Sequence, residues 1–531
     1  MLPLAKIIER HPPAPYVALA LAVFAAYSNI YGNAFVFDDG LLVERNEFLR
    51  NWSTFGKLFT AHTTDGAHIA GGFYRPLQNL LYFFIYQIFG PSPFGFHLAD
   101  VALHAANTGL LFTLGRRLGF ATLAAFFGAL IWAVHPIQTE AITYTTGTAD
   151  PLFVFFVLGG LAALMPTFTP RRTAIACIFF ALALLAKETA VVFPLLAAIC
   201  LFLVSPERKI PKTYLRTWPL WLMLAAYLTL RFTILNRDGF QSFAQPDYVY
   251  MRLYADHFFY RLYTFLATLP FYLGALVWPT GLHIERRFLV YLEPFEWEVL
   301  TGFLMVAVAA AWIVHSVKTK KSLALGWGLL WAGAAYAPNT GLFIPTDALF
   351  LEHWMYLPTA GLFLGIAQTV ALNVKKLSPR TRKAGTGAIV LLVLALGART
   401  YDQNAVWQDS IVLYNYIFTF GEGNARSHNN LGIAYVETHD DDDAIDQFRE
   451  AIRISDTMAE SHLNLAITLY NLPDRAAHAE EAVAELERAV AIDPDCERAY
   501  RMLAIIADDS GAVEKAQAYR AKADEIAAKF R

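Results

Sequence analysis

The stretch Pro15–Gly40 reads PYVALALAVFAAYSNIYGNAFVFDDG and ends in two adjacent carboxylates, Asp38 and Asp39. Its first part, from about Pro15 to Tyr31, offers roughly 20 residues of mostly apolar character, enough for a helix to cross a bilayer core. The carboxylates are therefore expected at a boundary between water and lipid. Adjacent carboxylates repel each other, so one of them can acquire a pKa useful to a general base. An acidic turn that merely ends the helix explains the same residues equally well.

The composition of the whole chain predicts an integral membrane protein. Of its 531 residues, 56% are hydrophobic and only 16% are charged, and the mean hydropathy is +0.39. Aromatic residues make up 15%, as is typical of helix ends at a membrane interface. The net charge of −3 gives no basic footprint, so we expect no nucleic-acid partner. The three cysteines, Cys177, Cys200 and Cys496, are spaced for neither a metal site nor a disulfide framework.

The chain changes character near Tyr401. Residues 1–400 contain the apolar runs, 401–423 are interpreted as a linker, and 424–531 are charged, amphipathic and rich in alanine. The last segment predicts about three tetratricopeptide repeats, the usual minimum for a stable stack, with a generic helical bundle as the alternative. The repeat spacing is followed by Leu431, Gly432, Tyr435, Ala444, Phe448 and Ala451, by Leu465, Ala466, Ala482, Leu486, Ala489 and Pro494, and by Leu503, Ala504, Ala516 and Ala523. In the second unit the connection between the helices is expected to be four residues longer, around Pro473.

The predicted fold class is all-α, with a polytopic bundle of about eleven spans followed by an α-solenoid of repeats. The candidate spans lie near residues 15–33, 96–115, 119–134, 151–167, 173–186, 189–204, 216–235, 299–317, 323–338, 355–373 and 385–398. Two further apolar runs, 77–90 and 258–278, are interpreted as interfacial or re-entrant helices. Counting either run as a span would place a basic cluster on the wrong side of the membrane.

Eleven spans with the N-terminus inside would put every basic cluster in the cytoplasm. The polar motifs and the repeats would then share the opposite face, which we expect to be the periplasmic face of a bacterial inner membrane, or a lumen. Polar groups gathered on one face favour an enzyme over a transporter, which would be expected to carry them near the midplane.

Two motifs on that face carry candidate phosphate ligands. Arg75 follows Phe73-Tyr74 and begins the 77–90 run, where it can bind a lipid phosphate bidentately or simply extend to the interface. Arg286 and Arg287 break the positive-inside trend and are candidates for the same role.

Three further motifs offer titratable residues. Pro136 is expected to end a helix, and His135 with Glu140 suits a metal, a substrate or a satisfied helix-end pair. Lys187-Glu188 is expected to form a short turn with an ion pair, and Glu352-His353 comes just before another span.

The order of these motifs resembles the TMTC proteins, which are transmembrane and tetratricopeptide-repeat O-mannosyltransferases of the GT-C fold. The resemblance rests on Phe37-Asp38-Asp39, Tyr74-Arg75-Pro76-Leu77, the stretch His135–Ala141, Ala149-Asp150, Lys187-Glu188, Glu352 with Tyr356-Leu357-Pro358, and the repeats. Thr148 and His353 stand where the family pattern has arginine.

The resemblance implies transfer of a sugar, typically mannose, from a polyprenyl-phosphate donor to a hydroxyl acceptor, Ser or Thr of a protein, with inversion. Asp38 or Asp39 would be the general base, and Arg75 would hold the donor phosphate. The substrate pocket would be lined by His135, Glu140, Asp150, Lys187, Glu188, Glu352 and His353. No metal ligand is assigned, and a need for a divalent metal stays open.

The repeats would recruit or present the acceptor protein beside the active site. The alternative is a non-catalytic protein, anchored in the lipid bilayer, whose repeats act as a scaffold for the assembly of envelope proteins.

Overall fold

The structure is a computed structural model that describes residues 11–67, 73–205, 216–235, 249–286, 288–319, 323–346, 348–374, 376–421 and 423–529. Within these ranges all regular secondary structure is helical. The chain forms two compact units. The first extends to Ile284 and resumes from Phe288 to Gln408, and the second runs from Asp409 onward and includes Glu285 and Arg286.

The first unit is built from helices of very different lengths, joined by short 3₁₀ and π segments. Its α-helices are α1 (Ala14–Ala26), α2 (Pro76–Phe89), α3 (Pro93–Arg117), α4 (Thr122–Ala133), α5 (Thr139–Thr143), α6 (Ala149–Leu164), α7 (Pro170–Ala186), α8 (Phe193–Val204), α9 (Trp218–Leu230), α10 (Val249–Asp256), α11 (Phe258–Val277), α12 (Trp297–Thr319), α13 (Leu323–Tyr336), α14 (Tyr356–Val374) and α15 (Pro379–Asn404). The short segments are Ile30–Gly32, Gly40–Glu44, Glu47–Leu49, Trp52–Phe59, Asp65–Ala67, Pro136–Gln138, Thr145–Thr148, Glu188–Val192, Arg231–Leu235, Ala337–Thr340, Glu352–Met355 and Ala405–Trp407.

Four helical stretches among the described residues are long and apolar enough to cross a membrane. They are Thr145–Leu164, Trp297–Thr319, Glu352–Val374 and Pro379–Trp407, and a fifth is added if α4 and Pro136–Thr143, bent by 56°, form one broken span. The chain is thus an integral membrane protein. The predicted count of eleven spans is not confirmed by these helices and stays a prediction.

Close helix packing fixes the beginning of α14, which directly follows the short segment Glu352–Met355. Gly361 of α14 faces the Trp331 ring of α13, and a Cβ on Gly361 would lie 2.2 Å from that ring. Gly365 similarly leaves room for the Ala324 backbone. Small residues let membrane helices approach closely, and here they let α14 pack tightly against α13. The indole N–H groups of Trp132 and Trp331 donate to the carbonyls of Tyr356 and Leu357 at 3.0 and 2.9 Å.

The second unit contains three helix pairs, as the repeat spacing predicts. The helices are α16 (Ser410–Phe418), α17 (Ala425–Glu437), α18 (Asp441–Ile454), α19 (Ala459–Asn471), α20 (Arg475–Ile492), α21 (Glu497–Asp509) and α22 (Val513–Lys529). The small residue of the first pair has its expected role, since a Cβ on Gly432 would lie 2.6 Å from the Phe448 ring. An asparagine–serine capping box, Asn424 with Ser427, begins the first pair.

One detail of the repeat prediction is wrong. The second connection, around Pro473, spans the same three residues as the first, because α19 ends at Asn471 and α20 begins at Arg475. The four extra residues lie in α20, which has 18 residues where α18 has 14. A proline two residues before the helix start is compatible with a tight connection, so the insertion is absorbed as about one helical turn.

Candidate active site

The Asp38–Asp39 turn follows α1 and is shaped by an uncommon backbone conformation. Phe37 has a φ of 54°, in the left-handed region that costs free energy for a bulky residue. The reversal buries Asp39 completely. Its Oδ1 accepts hydrogen bonds from the backbone N–H and the hydroxyl of Thr146, both at 2.7 Å, and its Oδ2 accepts from the Val36 N–H at 3.1 Å. Both oxygens of Asp39 are therefore occupied by the protein itself.

Asp38 has the opposite environment. Its side chain is exposed, while its backbone N–H is 3.3 Å from the Tyr144 hydroxyl, to which it donates. The Tyr144 ring stacks on Trp407 with the ring centroids 5.4 Å apart, which supports the turn from behind. Of these two carboxylates that are adjacent in sequence, Asp38 is thus exposed and Asp39 is buried.

The turn Thr145–Thr148, which lies between α5 and α6, holds Asp39. The Tyr82 hydroxyl of α2 donates to the Thr145 carbonyl at 2.6 Å, and the Gln78 amide donates to the Thr146 carbonyl at 3.3 Å. The turn also passes very close to α5, since a Cβ on Gly147 would lie 2.9 Å from the Glu140 carbonyl oxygen. Only glycine fits this approach without a shift of the backbone.

Two ion pairs hold four further residues of the predicted site. Lys187 donates to both oxygens of Asp150 at 2.8 and 2.7 Å, and each of these side chains is only 7% exposed. Arg75 donates through Nε and Nη2 to Glu188 at 3.1 and 2.6 Å, a bidentate pair, and its guanidinium lies 4.4 Å from the centre of the Phe73 ring. The ion pair expected between Lys187 and Glu188 is therefore wrong, because the extended backbone of Lys187 directs the two neighbours to different partners.

A third carboxylate of the predicted site, Glu140, binds the segment that begins with Glu352 and His353. Its Oε2 accepts the backbone N–H groups of Glu352 and His353 at 2.8 and 3.3 Å, and its Oε1 is 2.6 Å from His353 Nδ1. The other ring nitrogen of His353 lies 4.0 Å from Asp150 Oδ2. The imidazole thus lies between two buried carboxylates, within hydrogen-bond distance of Glu140. The structure brings together residues from five separate parts of the chain: Arg75, Glu140, Asp150, Lys187, Glu188, Glu352 and His353.

Two carboxyl groups of the site have strongly shifted pKa values in opposite directions. Burial raises the pKa of Asp39 to about 7, against the effect of the hydrogen bonds from Thr146 and Val36, and the Asp38 charge raises it further. For Glu188, burial raises the pKa, but the charge and hydrogen bonds of Arg75 outweigh it and lower the pKa to about 2. Asp39 therefore titrates near neutral pH, whereas Glu188 stays ionised.

The remaining predicted site residues are placed as follows. His135 ends the bend between α4 and Pro136–Gln138, accepting the Ile137 N–H at 3.2 Å, and its Nε2 lies 3.0 Å from the Leu276 carbonyl oxygen. This is the helix-end role that the sequence left open. The carboxylate of Glu352 accepts the His283 N–H at 3.0 Å. Arg286 belongs to the second unit, and Arg287 lies outside the described residues.

Sequence reasoning missed the residues that hold the predicted ones. Thr146, Tyr82 and Gln78 hold the turn next to Asp39, and Tyr144 contacts Asp38. The dense run of hydroxyls at 143–148 was the available signal, since hydroxyl side chains in an apolar chain need partners. As for metals, the part of the chain that the structure describes contains no cluster of three or more His, Cys, Asp or Glu residues that could hold an ion.

Comparison with known proteins tests the predicted resemblance. A family described as dolichyl-phosphate-mannose-protein mannosyltransferase matches residues 75–234. A protein O-mannosyl-transferase of Caenorhabditis elegans is 24% identical, and the match covers 81% of this chain and 61% of the relative. The Drosophila melanogaster protein O-mannosyl-transferase Tmtc3 is 24% identical, covering 88% and 58%, and human TMTC3 is 23% identical, covering 87% and 53%. The resemblance to the TMTC proteins is confirmed.

The chain spans about three fifths or less of the length of these TMTC relatives. Among solved structures, ArnT from Cupriavidus metallidurans, bound to undecaprenyl phosphate, is 16% identical with a TM-score of 0.37, covering 92% of this chain and 79% of that one. MamA is 21% identical with a TM-score of 0.21, covering 26% of this chain and 78% of that one.

Proposed function

We propose that this protein is a glycosyltransferase of the GT-C type that moves mannose from a polyprenyl-phosphate donor to a hydroxyl of a protein acceptor. The observation that carries the proposal is the pair Asp38 and Asp39, one carboxylate exposed and the other buried, in a chain that also holds two cation pairs. The similarity to protein O-mannosyl-transferases over most of the chain supports the substrate class.

In this proposal Asp38 is the general base. A base must come within hydrogen-bond distance of the hydroxyl proton that it removes, so geometry decides before pKa. Asp39 has a pKa suited to a base, but both of its oxygens are already occupied and its side chain is fully buried. We therefore assign Asp39 the role of positioning the turn that presents Asp38.

The proposed reaction is a single displacement with inversion. The acceptor oxygen forms a bond to the anomeric carbon while the bond from that carbon to the phosphate oxygen breaks, and its electron pair leaves with the phosphate. The hydroxyl proton passes to Asp38. Arg75 stabilises the charge that develops on the phosphate, because a guanidinium matches two phosphate oxygens at once.

The proposed setting is the inner membrane of a bacterium, with the site and the repeats on the periplasmic side. The repeats supply an extended helical surface on which an acceptor polypeptide can lie. This pairing of a membrane enzyme with a peptide-binding array explains why both units occur in one chain.

The test compares cells that carry the wild-type protein, Asp38→Asn, or no protein, by peptide mass spectrometry of envelope proteins. Peptides with a hexose on Ser or Thr are expected only with the wild type. With purified protein, Asp38→Asn should slow transfer by roughly 10²–10⁴-fold, the usual contribution of a general base. Glu47→Gln, which changes an exposed carboxylate of the same loop, is the matched control and should leave transfer unchanged. An unaltered glycopeptide profile in the null strain would refute the proposal and favour a scaffold.

A further inference from the structure

A second buried carboxyl group contacts the Thr145–Thr148 turn, on a helix that the site described above does not use. Asp100 of α3 is fully buried. Its Oδ1 lies 2.6 Å from the Thr148 hydroxyl oxygen. Its Oδ2 is buried as well and has no hydrogen-bond partner among the described residues. The Thr148 hydroxyl oxygen also lies 2.6 Å from the Thr145 carbonyl oxygen.

Counting protons in this arrangement fixes the chemical form of Asp100. A threonine hydroxyl has one proton to donate, and a carbonyl oxygen can only accept. If Asp100 were a carboxylate, this one proton would have to serve two acceptors at the same short distance. In addition, a buried carboxylate oxygen, Oδ2, would be left without a donor, which is costly. If Asp100 carries a proton, it donates to Thr148, and the Thr148 hydroxyl donates to the Thr145 carbonyl.

The Tyr82 hydroxyl is the other potential donor to the Thr145 carbonyl, and it does not change this count of protons. The Tyr82 hydroxyl already directs its proton to the Thr145 carbonyl at 2.6 Å, and the Gln78 amide donates to the Tyr82 oxygen at 2.9 Å. Each of the three 2.6 Å contacts, Asp100 with Thr148, Thr148 with Thr145 and Tyr82 with Thr145, then has one proton, and the chain of donors begins at Asp100.

This series of hydrogen bonds ends at the Thr145–Thr148 turn, which also binds Asp39. Thr146, in the middle of the turn, gives both its N–H and its hydroxyl to Asp39, while the Thr148 hydroxyl, at the end of the turn, lies 2.6 Å from Asp100 Oδ1. We propose that Asp100 is a buried neutral carboxylic acid whose proton fixes the Thr145–Thr148 turn and so positions Asp39 and Asp38 for transfer. Asp100 is a positioning residue and never meets substrate, and the inference rests on the proposed function for its link to catalysis.

The proposal predicts a specific pH effect. Loss of the Asp100 proton would remove the donor for Thr148 and loosen the turn, so transfer should decline on the alkaline side. The titratable groups that interact electrostatically with Asp100 or lie across the turn are Asp39, Tyr82 on α2 and Tyr356 on α14. The alkaline decline belongs to Asp100 only if it disappears when Asp100 alone is replaced.

The experiment compares Asp100→Asn with Asp100→Leu in the full-length protein purified in detergent. Asparagine is neutral, has nearly the same shape and keeps a donor for Thr148, whereas leucine has none. We expect kcat of Asp100→Asn within about threefold of the wild type, and kcat of Asp100→Leu lower by about tenfold or more, with similar KM values. The alkaline decline should be absent from Asp100→Asn. Equal losses in both variants, or an unchanged alkaline decline in Asp100→Asn, would overturn the proposal.

A second measurement does not depend on activity or on the folding of the leucine variant. Infrared spectra separate the carbonyl stretch of a neutral carboxylic acid from the bands of a carboxylate. At about pH 9, where Asp39 with its pKa of about 7 is ionised, the wild type should show a neutral-acid band that Asp100→Asn lacks. No difference between the two spectra would overturn the proposal. If the wild type shows this band but transfers no sugar, the proposed function fails while the assignment of Asp100 stands.

Discussion

The buried Asp39 makes the stability of the protein depend on pH in a direction that can be worked out in advance. Burial raises its pKa from an ordinary value near 3.8 to about 7. Below about pH 4 the group is protonated in both the folded and the unfolded state, so its contribution to stability is fully present. Between pH 4 and 7 the unfolded chain releases the proton while the folded protein keeps it, and stability falls. Above pH 7 the loss is complete.

The size of this effect follows from the two pKa values. A difference of about three pH units, at roughly 1.4 kcal/mol per unit, gives about 4 kcal/mol between pH 4 and pH 8. Asp39→Asn removes the titrating group and therefore this slope. The amide should also cost about 1–3 kcal/mol at every pH, because its N–H₂ would face the Val36 N–H, a donor against a donor. The test is therefore how the free energy of unfolding changes with pH, and not its absolute value.

The assay is unfolding by urea in a non-ionic detergent, at intervals from pH 4 to pH 8. The free energy of unfolding of the wild type minus that of Asp39→Asn should fall by about 4 kcal/mol across the range. Glu47→Gln, which alters an exposed carboxylate of the same loop, is the control and should keep the wild-type slope. Parallel curves for the wild type and Asp39→Asn would show that Asp39 does not titrate near neutrality, and the assignment of its buried role would be wrong.

Two further predictions concern the supports of the site. Lys187→Met leaves Asp150 buried without its cation and should destabilise the protein by about 3–5 kcal/mol, and adding Asp150→Asn should restore part of this loss. Additive losses in urea unfolding would show that the two side chains do not interact. Gly147→Ala should cost about 1–3 kcal/mol and lower transfer, because the new methyl group would meet the Glu140 and Ala141 carbonyls at 2.9 and 3.1 Å. Gly274→Ala, which meets nothing within 4 Å, is its control, and equal effects of the two changes would contradict the close approach.

The repeats could be predicted from the sequence because their packing is local. Gly432 lies against the Phe448 ring within one helix pair, so the spacing of small and large residues is visible in a short window. The membrane spans could not be counted in the same way. The 25-residue helix α3 buries His97, Asp100, His104 and Asn107 against other helices, so its polar face lowers its hydropathy although it lies inside the bundle. A run of apolar residues indicates a helix that contacts lipid, and a helix buried inside the bundle does not need such a run.

The candidate site could be predicted by residue type but not by arrangement. The different environments of Asp38 and Asp39 depend on Phe37 adopting a positive φ and on Thr146, which is 107 positions away from Asp39. The partner of Arg75 is 113 positions away. Contacts over such distances are determined by how the helices pack, and no local pattern in the sequence reports them.

The arrangement of the two cation pairs indicates which cation meets the phosphate in the proposed reaction. Lys187 and Asp150 are each only 7% exposed, so a phosphate could displace that carboxylate only by opening the bundle. Arg75 is also largely buried, but its partner Glu188 is 33% exposed and can move into solvent. An unpaired buried guanidinium is costly, so Arg75 needs a carboxylate before the donor arrives. Exchanging Glu188 for a phosphate replaces one bidentate ion pair with another, and the site never has to hold an uncompensated charge. Arg75 is therefore the cation that the proposed donor engages, and Lys187 is the one that keeps Asp150 in place.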